Sequence, residues 1–184
     1  MKKELRALIE YDVFRNTGKK KISFFSHFLN PNLKFLKLFR CAQSYRDNPL
    51  LLAFYKLKLH FFGFKYFIQI PWNTKIGRGL FIGHTGRIIV NSRTVIGDNV
   101  NLATGITIGQ TNRGEKKGTP TIGNCVWIGT NVVIVGNISI GNDVLIAPNS
   151  YVNVNIPDHS IVIGNPAVII QKDNATEGYI NNVV

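Results

Sequence analysis

An aliphatic residue recurs about every six residues from residue 76 onward, and this period constrains the fold more than any other feature. Twelve positions carry it and ten of them are isoleucine: Ile76, Ile82, Ile88, Ile96, Leu102, Ile108, Ile122, Ile128, Ile134, Ile140, Ile146 and Val152. The period fits neither an α-helix nor a β-meander, but it fits a short strand followed by a turn. Three such units close one triangular coil, so the sequence predicts a parallel β-helix.

The residues between these anchors support that prediction. A second apolar residue often follows four places later, as at Val100, Ile106 and Val132. Asn and Gly fill many remaining places, and both tolerate the left-handed backbone of tight corners. The repeat is interrupted between Ile108 and Ile122, where the polar segment 110–118 has no anchor. We expect this segment to leave the coil as an excursion loop.

Charge and composition divide the chain near residue 72. Residues 1–75 carry 15 Lys and Arg against 4 Asp and Glu, a net charge of +11, whereas residues 76–184 carry 7 against 6, a net charge of +1. Asn30-Pro31 and Asn48-Pro49 are typical helix starts within the first part. We therefore predict a helical region at 1–72, a β-helix at 73–170 and a tail at 171–184, which is α+β overall.

The basic, aromatic first part has two compatible interpretations. The first is a helical cap that covers the open end of the solenoid. The second is a patch that contacts an anionic membrane surface, and one region could do both. No nucleic-acid recognition motif is present, so nucleic acid is not an expected partner. We expect a cytoplasmic protein, at most peripheral at the inner membrane face, because there is no apolar signal core and no run of about 18 apolar residues. Two cysteines fit a reducing compartment.

His84 is the candidate for chemistry among four histidines. It sits at a predicted corner, where its side chain points outward and small neighbours leave room for a ligand; the alternative is a solvated corner residue. His27 and His60 lie among aromatic residues and His159 lies in a turn. No second His or Cys stands at ligand spacing to His84, so no metal is expected. Cys125 is expected to have no His or basic residue beside it to lower the pKa of its thiol.

These features resemble the left-handed β-helix acyltransferases, and in particular the serine acetyltransferases. The resemblance rests on the Ile-Gly repeats, the excursion, the segment Lys75–Ile82 that leads into His84, the closing segment Ile161–Ala167 and the helical stretch 30–46, and covers roughly residues 30–170. It implies a left-handed coil and a homotrimer with a site between chains. It also implies acetyl-CoA as co-substrate, with no metal.

Three positions depart from the serine acetyltransferase pattern. That family typically has Asp where this chain has Gly83 and Gln69, and His where it has Thr119. An amino-acid acceptor would lose charged partners there, and unpaired buried charge is costly. The expected acceptor is therefore a sugar or glycan hydroxyl, since Gly-His-Thr-Gly resembles the O-acetyltransferases of capsule and exopolysaccharide synthesis. The alternatives are a serine O-acetyltransferase of cysteine biosynthesis and a non-enzymatic scaffold.

The resemblance implies that His84 is the general base and that transfer from acetyl-CoA to the acceptor is direct. Imidazole suits this role because it titrates near neutral pH. Gln69 is expected to orient His84, and backbone N–H groups near Gly105 or Gly109 to hold the oxyanion. The other expected acceptor-binding residues are Asn73, Gly83, Thr85, Arg87 and Thr119. Those expected for CoA are Gly109, Lys116, Lys117, Trp127, Gly129, Thr130, Ala147, Pro148 and Lys172.

Overall fold

The computed structural model describes residues 3–19 and 30–184. Within these ranges, three helices precede the solenoid: α1 (Lys3–Thr17), α2 (Pro31–Ser44) and α3 (Pro49–Tyr66). The predicted starts of α2 and α3 are confirmed, because the side chains of Asn30 and Asn48 accept hydrogen bonds from the first free backbone N–H groups. No helix in the described ranges is long and apolar enough to cross a membrane.

In the described ranges, fourteen short strands form a left-handed parallel β-helix with three faces, and a fifteenth extends one face in the antiparallel direction. Face A contains β1 (Ile68–Gln69), β4 (Ile88–Val90), β7 (Thr107–Gly109), β10 (Val133–Val135) and β13 (Tyr151–Val152). Face B contains β2 (Lys75–Ile76), β5 (Val95–Ile96), β8 (Thr121–Ile122) and β11 (Ser139–Ile140). Face C contains β3 (Phe81–Ile82), β6 (Asn101–Leu102), β9 (Val126–Ile128), β12 (Val144–Ile146), β14 (Ser160–Ile163) and β15 (Val168–Gln171), which is antiparallel to β14.

The repeated aliphatic residues form the core of the coil, as predicted. Eleven of the twelve anchors are buried, and Ile76 packs partly buried against the same core. The second apolar residues Val100, Ile106 and Val132 are also fully buried. Each coil therefore stacks one inward layer on the next, which stabilises the solenoid through nearest-neighbour contacts.

A hydrogen-bond ladder explains the Gly that follows many anchors. At the edge between faces B and C, the backbone N–H of Asp98 donates to Asn124 Oδ1 in the next coil at 2.8 Å, and the N–H of Asn124 donates to Asn142 Oδ1 at 2.9 Å. A Cβ on Gly97 would lie 2.5 Å from the Asn124 oxygen. Only glycine leaves room for the next coil's side chain at this edge.

The helices and the first coil share one core. Phe35, Leu36 and Phe39 of α2 belong to the same buried cluster as Ile68 and Ile82 of the solenoid. Residue 68 already pairs with β4, so the coil begins before the expected boundary at residue 72. The boundary inferred from composition lies a few residues too late, because the first strand, Ile68–Gln69, follows directly on the aromatic residues that characterise the helical part.

The tail folds back along face C. The backbone N–H groups of Ala175 and Thr176 each donate to the Asp143 carboxylate at 3.0 Å. Further along, Asn101 donates to the Tyr179 carbonyl at 3.1 Å, and Asn99 pairs with the backbone of Val184 at 2.9 Å. The tail thus runs from the fourth coil toward the second and covers the outward side chains of this face.

Candidate active site

His84 lies at the first corner between faces C and A, in the turn that joins β3 to β4. Its side chain is exposed, as are Gly83, Thr85 and Arg87 beside it. A Cβ on Gly86 would lie 2.1 Å from Thr104 Oγ1, so the backbone of this corner sits directly against the next coil. The exposed imidazole therefore projects from a turn that is fixed from behind.

Strand register aligns His84 with one residue in each following coil. Ile82 pairs with Leu102, Leu102 with Ile128, and Ile128 with Ile146. Two residues further on, His84, Thr104, Thr130 and Pro148 therefore occupy equivalent positions along one edge, about 4.8 Å apart from coil to coil. We call this row, together with the residues directly before and after each of its members, the CA edge. Gly129, Thr130, Ala147 and Pro148, which were predicted to contact CoA, all lie on it.

Thr104 belongs to the CA edge but was not predicted as a site residue. It lies between His84 and Thr130 in the row, and its hydroxyl oxygen occupies the space where a Cβ on Gly86 would stand. The sequence could have indicated it. Two extra residues between Ile88 and Ile96 lengthen this coil from 18 residues to 20, so the residue one coil after His84 is 20 positions later. Counting from the strand anchors aligns His84 with Thr104.

A second group of predicted residues lies on the edge between faces A and B, which we call the AB edge. Gly109 ends β7 there, and the excursion 110–118 follows as a small hairpin closed by reciprocal backbone hydrogen bonds of 3.0 Å between Thr111 and Gly118. Thr119 closes the hairpin and donates to the Arg93 carbonyl at 3.2 Å. Asn73 is exposed in the first turn of the same edge.

The two lysines of the excursion differ in their surroundings. Lys116 Nζ donates to the Asn153 carbonyl at 2.7 Å, so its ammonium group is held along the AB edge. Lys117 is exposed at the hairpin. Of the two, Lys117 has the cation that is better placed to meet a phosphate.

Within one chain, face A separates the CA edge from the AB edge. A three-residue strand such as β7 spans about 10 Å. Gln69 lies on face A, next to Ile89 of β4, and lines a cavity of about 320 Å³ between α3 and the first coil. The described part of the chain contains no side-chain hydrogen bond between Gln69 and His84. The orienting role of Gln69 stays a prediction.

Two residues predicted to bind CoA lie away from both edges. Trp127 is on the outward side of face C, where its ring packs edge-on against Tyr179 of the tail at a centroid distance of 4.9 Å. Lys172 follows β15, and its backbone N–H donates to the His159 carbonyl at the third edge, which lies between faces B and C. Because Tyr179 of the same chain already packs on the indole, a contact of Trp127 with CoA stays a prediction. Lys172 likewise lies across face C from His84.

The remaining candidates for chemistry carry little support. Burial raises the pKa of the Cys125 thiol above its usual value even though Arg15 lies nearby, and burial also raises the pKa of Cys41. The nearby Arg15 corrects the expectation of no basic neighbour, because α1 brings it there from a distant part of the sequence. Residues 3–19 and 30–184 contain no cluster of metal-ligating side chains. His27 lies outside the described residues.

Comparison with known proteins points to one group of enzymes. The family described as bacterial transferase hexapeptide (six repeats) matches residues 119–154. A serine acetyltransferase of Helicobacter pylori is 40% identical over 106 residues, which are 58% of this chain and 62% of that protein. The chain therefore matches less than two thirds of the length of this curated relative.

Solved structures agree with the fold over a larger part of the chain. The soybean serine acetyltransferase apoenzyme superposes with a TM-score of 0.76 at 27% identity, covering 90% of this chain and 69% of that chain. The soybean enzyme in complex with serine gives a TM-score of 0.74 at 27% identity, with the same coverage. The helices and the solenoid thus share their arrangement with these enzymes.

Proposed function

We propose that this protein is an acetyl-CoA-dependent O-acetyltransferase with His84 as its general base. The observation that carries the proposal is the exposed His84 at one end of the CA edge, in a chain whose relatives are named serine acetyltransferases. A non-enzymatic scaffold is less consistent with this likeness, because the named relatives are enzymes.

The proposed reaction moves one acetyl group and one proton. His84 accepts the proton of the acceptor hydroxyl as that oxygen attacks the thioester carbonyl of acetyl-CoA. The carbon–sulfur bond then breaks, and the proton passes from the imidazolium to the departing CoA sulfur. An ester and free CoA result, with no acyl-enzyme. The raised thiol pKa values of Cys41 and Cys125 fit this direct route, because the thiolate is the nucleophilic form.

Acetyl-CoA fits the CA edge best. Ala103, Gly129 and Ala147 precede the aligned corner residues Thr104, Thr130 and Pro148, so a thin pantetheine chain can approach the backbone closely. Gly105 belongs to this edge and its N–H is a candidate for the oxyanion. Gly109 and Lys117 belong to the AB edge, and we propose that they act on a CoA bound at the CA edge of a neighbouring chain.

This arrangement needs a second chain whose AB edge lies beside the CA edge of the first. Face B exposes Lys75, Thr121 and Ser139 together with one apolar residue, Val95, and face C is covered by the tail. Face A instead presents the half-buried Ile89, Val133, Val135 and Tyr151. Face A also lies between the two edges that carry the site residues. We therefore propose that face A packs against a neighbouring chain in a closed homotrimer, so that each site combines the edges of two chains.

We predict that sedimentation equilibrium gives three times the chain mass at assay concentrations. Changing Val133 to Lys on face A should dissociate the particle, since an unpaired cation would enter an apolar interface. Changing Ser139 to Lys on face B is the matched control and should leave the mass unchanged. A fully active single chain would contradict the trimer.

The comparisons favour L-serine as the acceptor, which reverses the order expected from the sequence. The named relatives are serine acetyltransferases, and one superposed structure contains serine. Synthesis of a polysaccharide receives no support from these likenesses. A neutral hydroxyl remains the second candidate because Gln69, Gly83 and Thr119 provide no charge for an amino-acid substrate.

A CoA-release assay distinguishes the two acceptors. We expect turnover of L-serine with kcat/KM of about 10⁴ M⁻¹s⁻¹ or above, the lower end of the usual enzyme range. Nucleotide sugars and neutral oligosaccharides, tested in parallel with the same acetyl-CoA, should then be poor substrates. Release of CoA with sugars alone would favour the neutral acceptor. No release with any hydroxyl compound would contradict the enzyme itself.

A further inference from the structure

Helix α3 is apolar on two opposite sides, and only one of them packs against the other residues that the structure describes. Leu52, Tyr55, Leu59, Phe62 and Tyr66 face the core, where Leu59 is buried and the others are partly buried. These positions repeat at intervals of three and four residues, as expected for one side of an α-helix. They pack α3 against the core that it shares with the first coil and α2.

The opposite side of α3 carries a continuous exposed stripe. It consists of Leu50, Phe54, Leu57, Phe61 and Phe64, with exposed fractions of 83%, 48%, 57%, 64% and 82%. Spacings of four, three, four and three residues confine these side chains to an arc of about 80°. We call this set the α3 stripe. Isolated exposed apolar residues are common on proteins, but a contiguous patch of this kind marks a binding surface.

Basic side chains border the stripe on both sides. On the helix, Lys58 and Lys65 follow one border, and Lys58 Nζ lies 4.2 Å from the centre of the Phe54 ring. His60 and Lys56 lie beyond the other border, with Lys56 Nζ 6.0 Å from the Trp72 ring. The sequence contains no Asp or Glu between residues 48 and 97. The stripe and its borders therefore combine apolar and positive character only.

This charge pattern decides between the possible partners. If a second copy covered the stripe, it would bring its own Lys56, Lys58 and Lys65 toward the same lysines, and no carboxylate of α3 is available to pair with them. An anionic lipid surface supplies negative charge at the level of the lysines and an apolar layer beneath it. Each Lys near such a surface adds to the electrostatic attraction.

We propose that the α3 stripe docks this protein on the surface of an anionic phospholipid bilayer, with α3 lying parallel to the membrane plane. The aromatic and leucine side chains enter the boundary between headgroups and acyl chains, while Lys58 and Lys65 remain among the headgroup phosphates. The helix has 18 residues and is not apolar enough to span a membrane. The sequence indicated only a basic, aromatic region, whereas the structure identifies which side chains are free.

Co-sedimentation of the full chain with lipid vesicles tests this surface without using any catalytic property. We expect binding to vesicles of equal parts phosphatidylglycerol and phosphatidylcholine, and at least tenfold weaker binding to pure phosphatidylcholine. The triple change Leu57→Ser, Phe61→Ser and Phe64→Ser should reduce binding to the anionic vesicles at least tenfold. Lys58→Gln with Lys65→Gln should remove most of the preference for phosphatidylglycerol, as should high salt.

The matched control removes three exposed apolar side chains at the other end of the solenoid: Ile163→Ser, Val168→Ser and Ile170→Ser, from positions with exposed fractions of 46%, 60% and 47%. This control should bind vesicles like the unchanged chain. The proposal fails if the unchanged chain does not sediment with anionic vesicles, or if both triple variants lose binding equally. It also fails if the α3 variant only reduces the particle mass, because the stripe would then join copies of the chain.

Discussion

Replacing His84 by Ala is expected to lower kcat by roughly a hundred- to ten-thousand-fold, the range for loss of a general base. The alanine cannot accept the proton of the attacking hydroxyl, while the rest of the CA edge is unchanged. Because His84 is exposed and makes no hydrogen bond within the described chain, the substitution should leave the fold and the affinity for CoA nearly unaltered. Steady-state CoA release, with a thermal unfolding curve for each variant, measures both effects.

His159 provides the matched control for this substitution. It is also an exposed corner histidine of the solenoid, but it lies on the third edge and pairs with Asp143 at 2.9 Å. Its backbone φ of 55° favours Asn over Ala, so the fair comparison is His84→Asn against His159→Asn. We expect a loss of activity only in the first. Near-normal turnover of both His84 variants would remove this residue from the mechanism.

Much of the solenoid could be predicted because each of its units is determined locally. An anchor such as Ile134 must point inward. Asn131, with a φ of 59°, suits the corner before it, where the backbone adopts the left-handed conformation. The excursion was also predictable, since a polar segment without anchors has no place in the core. His84 stood out for a similar reason: it occupies a corner position between small residues, where its side chain has to face outward.

Contacts between distant segments account for what the sequence did not indicate. The tail covers Trp127 through Tyr179, a contact over 52 residues that no local pattern encodes. Arg15 approaches Cys125 for the same reason, because α1 packs beside face C. The sequence also did not indicate that one side of α3 is exposed. An apolar helix has the same sequence pattern whether one side or both sides are buried, and only the packed structure distinguishes these two cases.

Changing Arg40 to Ala is expected to lower the free energy of unfolding by roughly 3–5 kcal/mol, as for other buried ion pairs that lose one partner. Arg40 Nε lies 2.8 Å from Asp12 Oδ2, and the two side chains are only 1% and 3% exposed. Arg40 also donates to the Ile76 carbonyl at 2.9 Å and to that of Gly77, while Asp12 accepts from the Leu80 N–H at 3.0 Å. The pair thus joins α1 and α2 to the first coil.

The exposed ion pair Arg6–Glu10 on α1 is the control that separates the effect of burial from the loss of an ordinary surface charge. Its side chains are 63% and 49% exposed, although the nitrogen–oxygen distance of 2.9 Å is nearly the same as in the buried pair. Arg6→Ala should therefore cost less than about 0.5 kcal/mol, because water solvates the remaining carboxylate. Urea unfolding at one fixed protein concentration compares the variants, since association of chains adds to apparent stability. Equal losses for Arg6→Ala and Arg40→Ala would mean that the buried pair does not hold the helices on the solenoid. A much larger loss for Arg40→Ala would follow from burial, because the Asp12 carboxylate would then lie buried with no cation beside it.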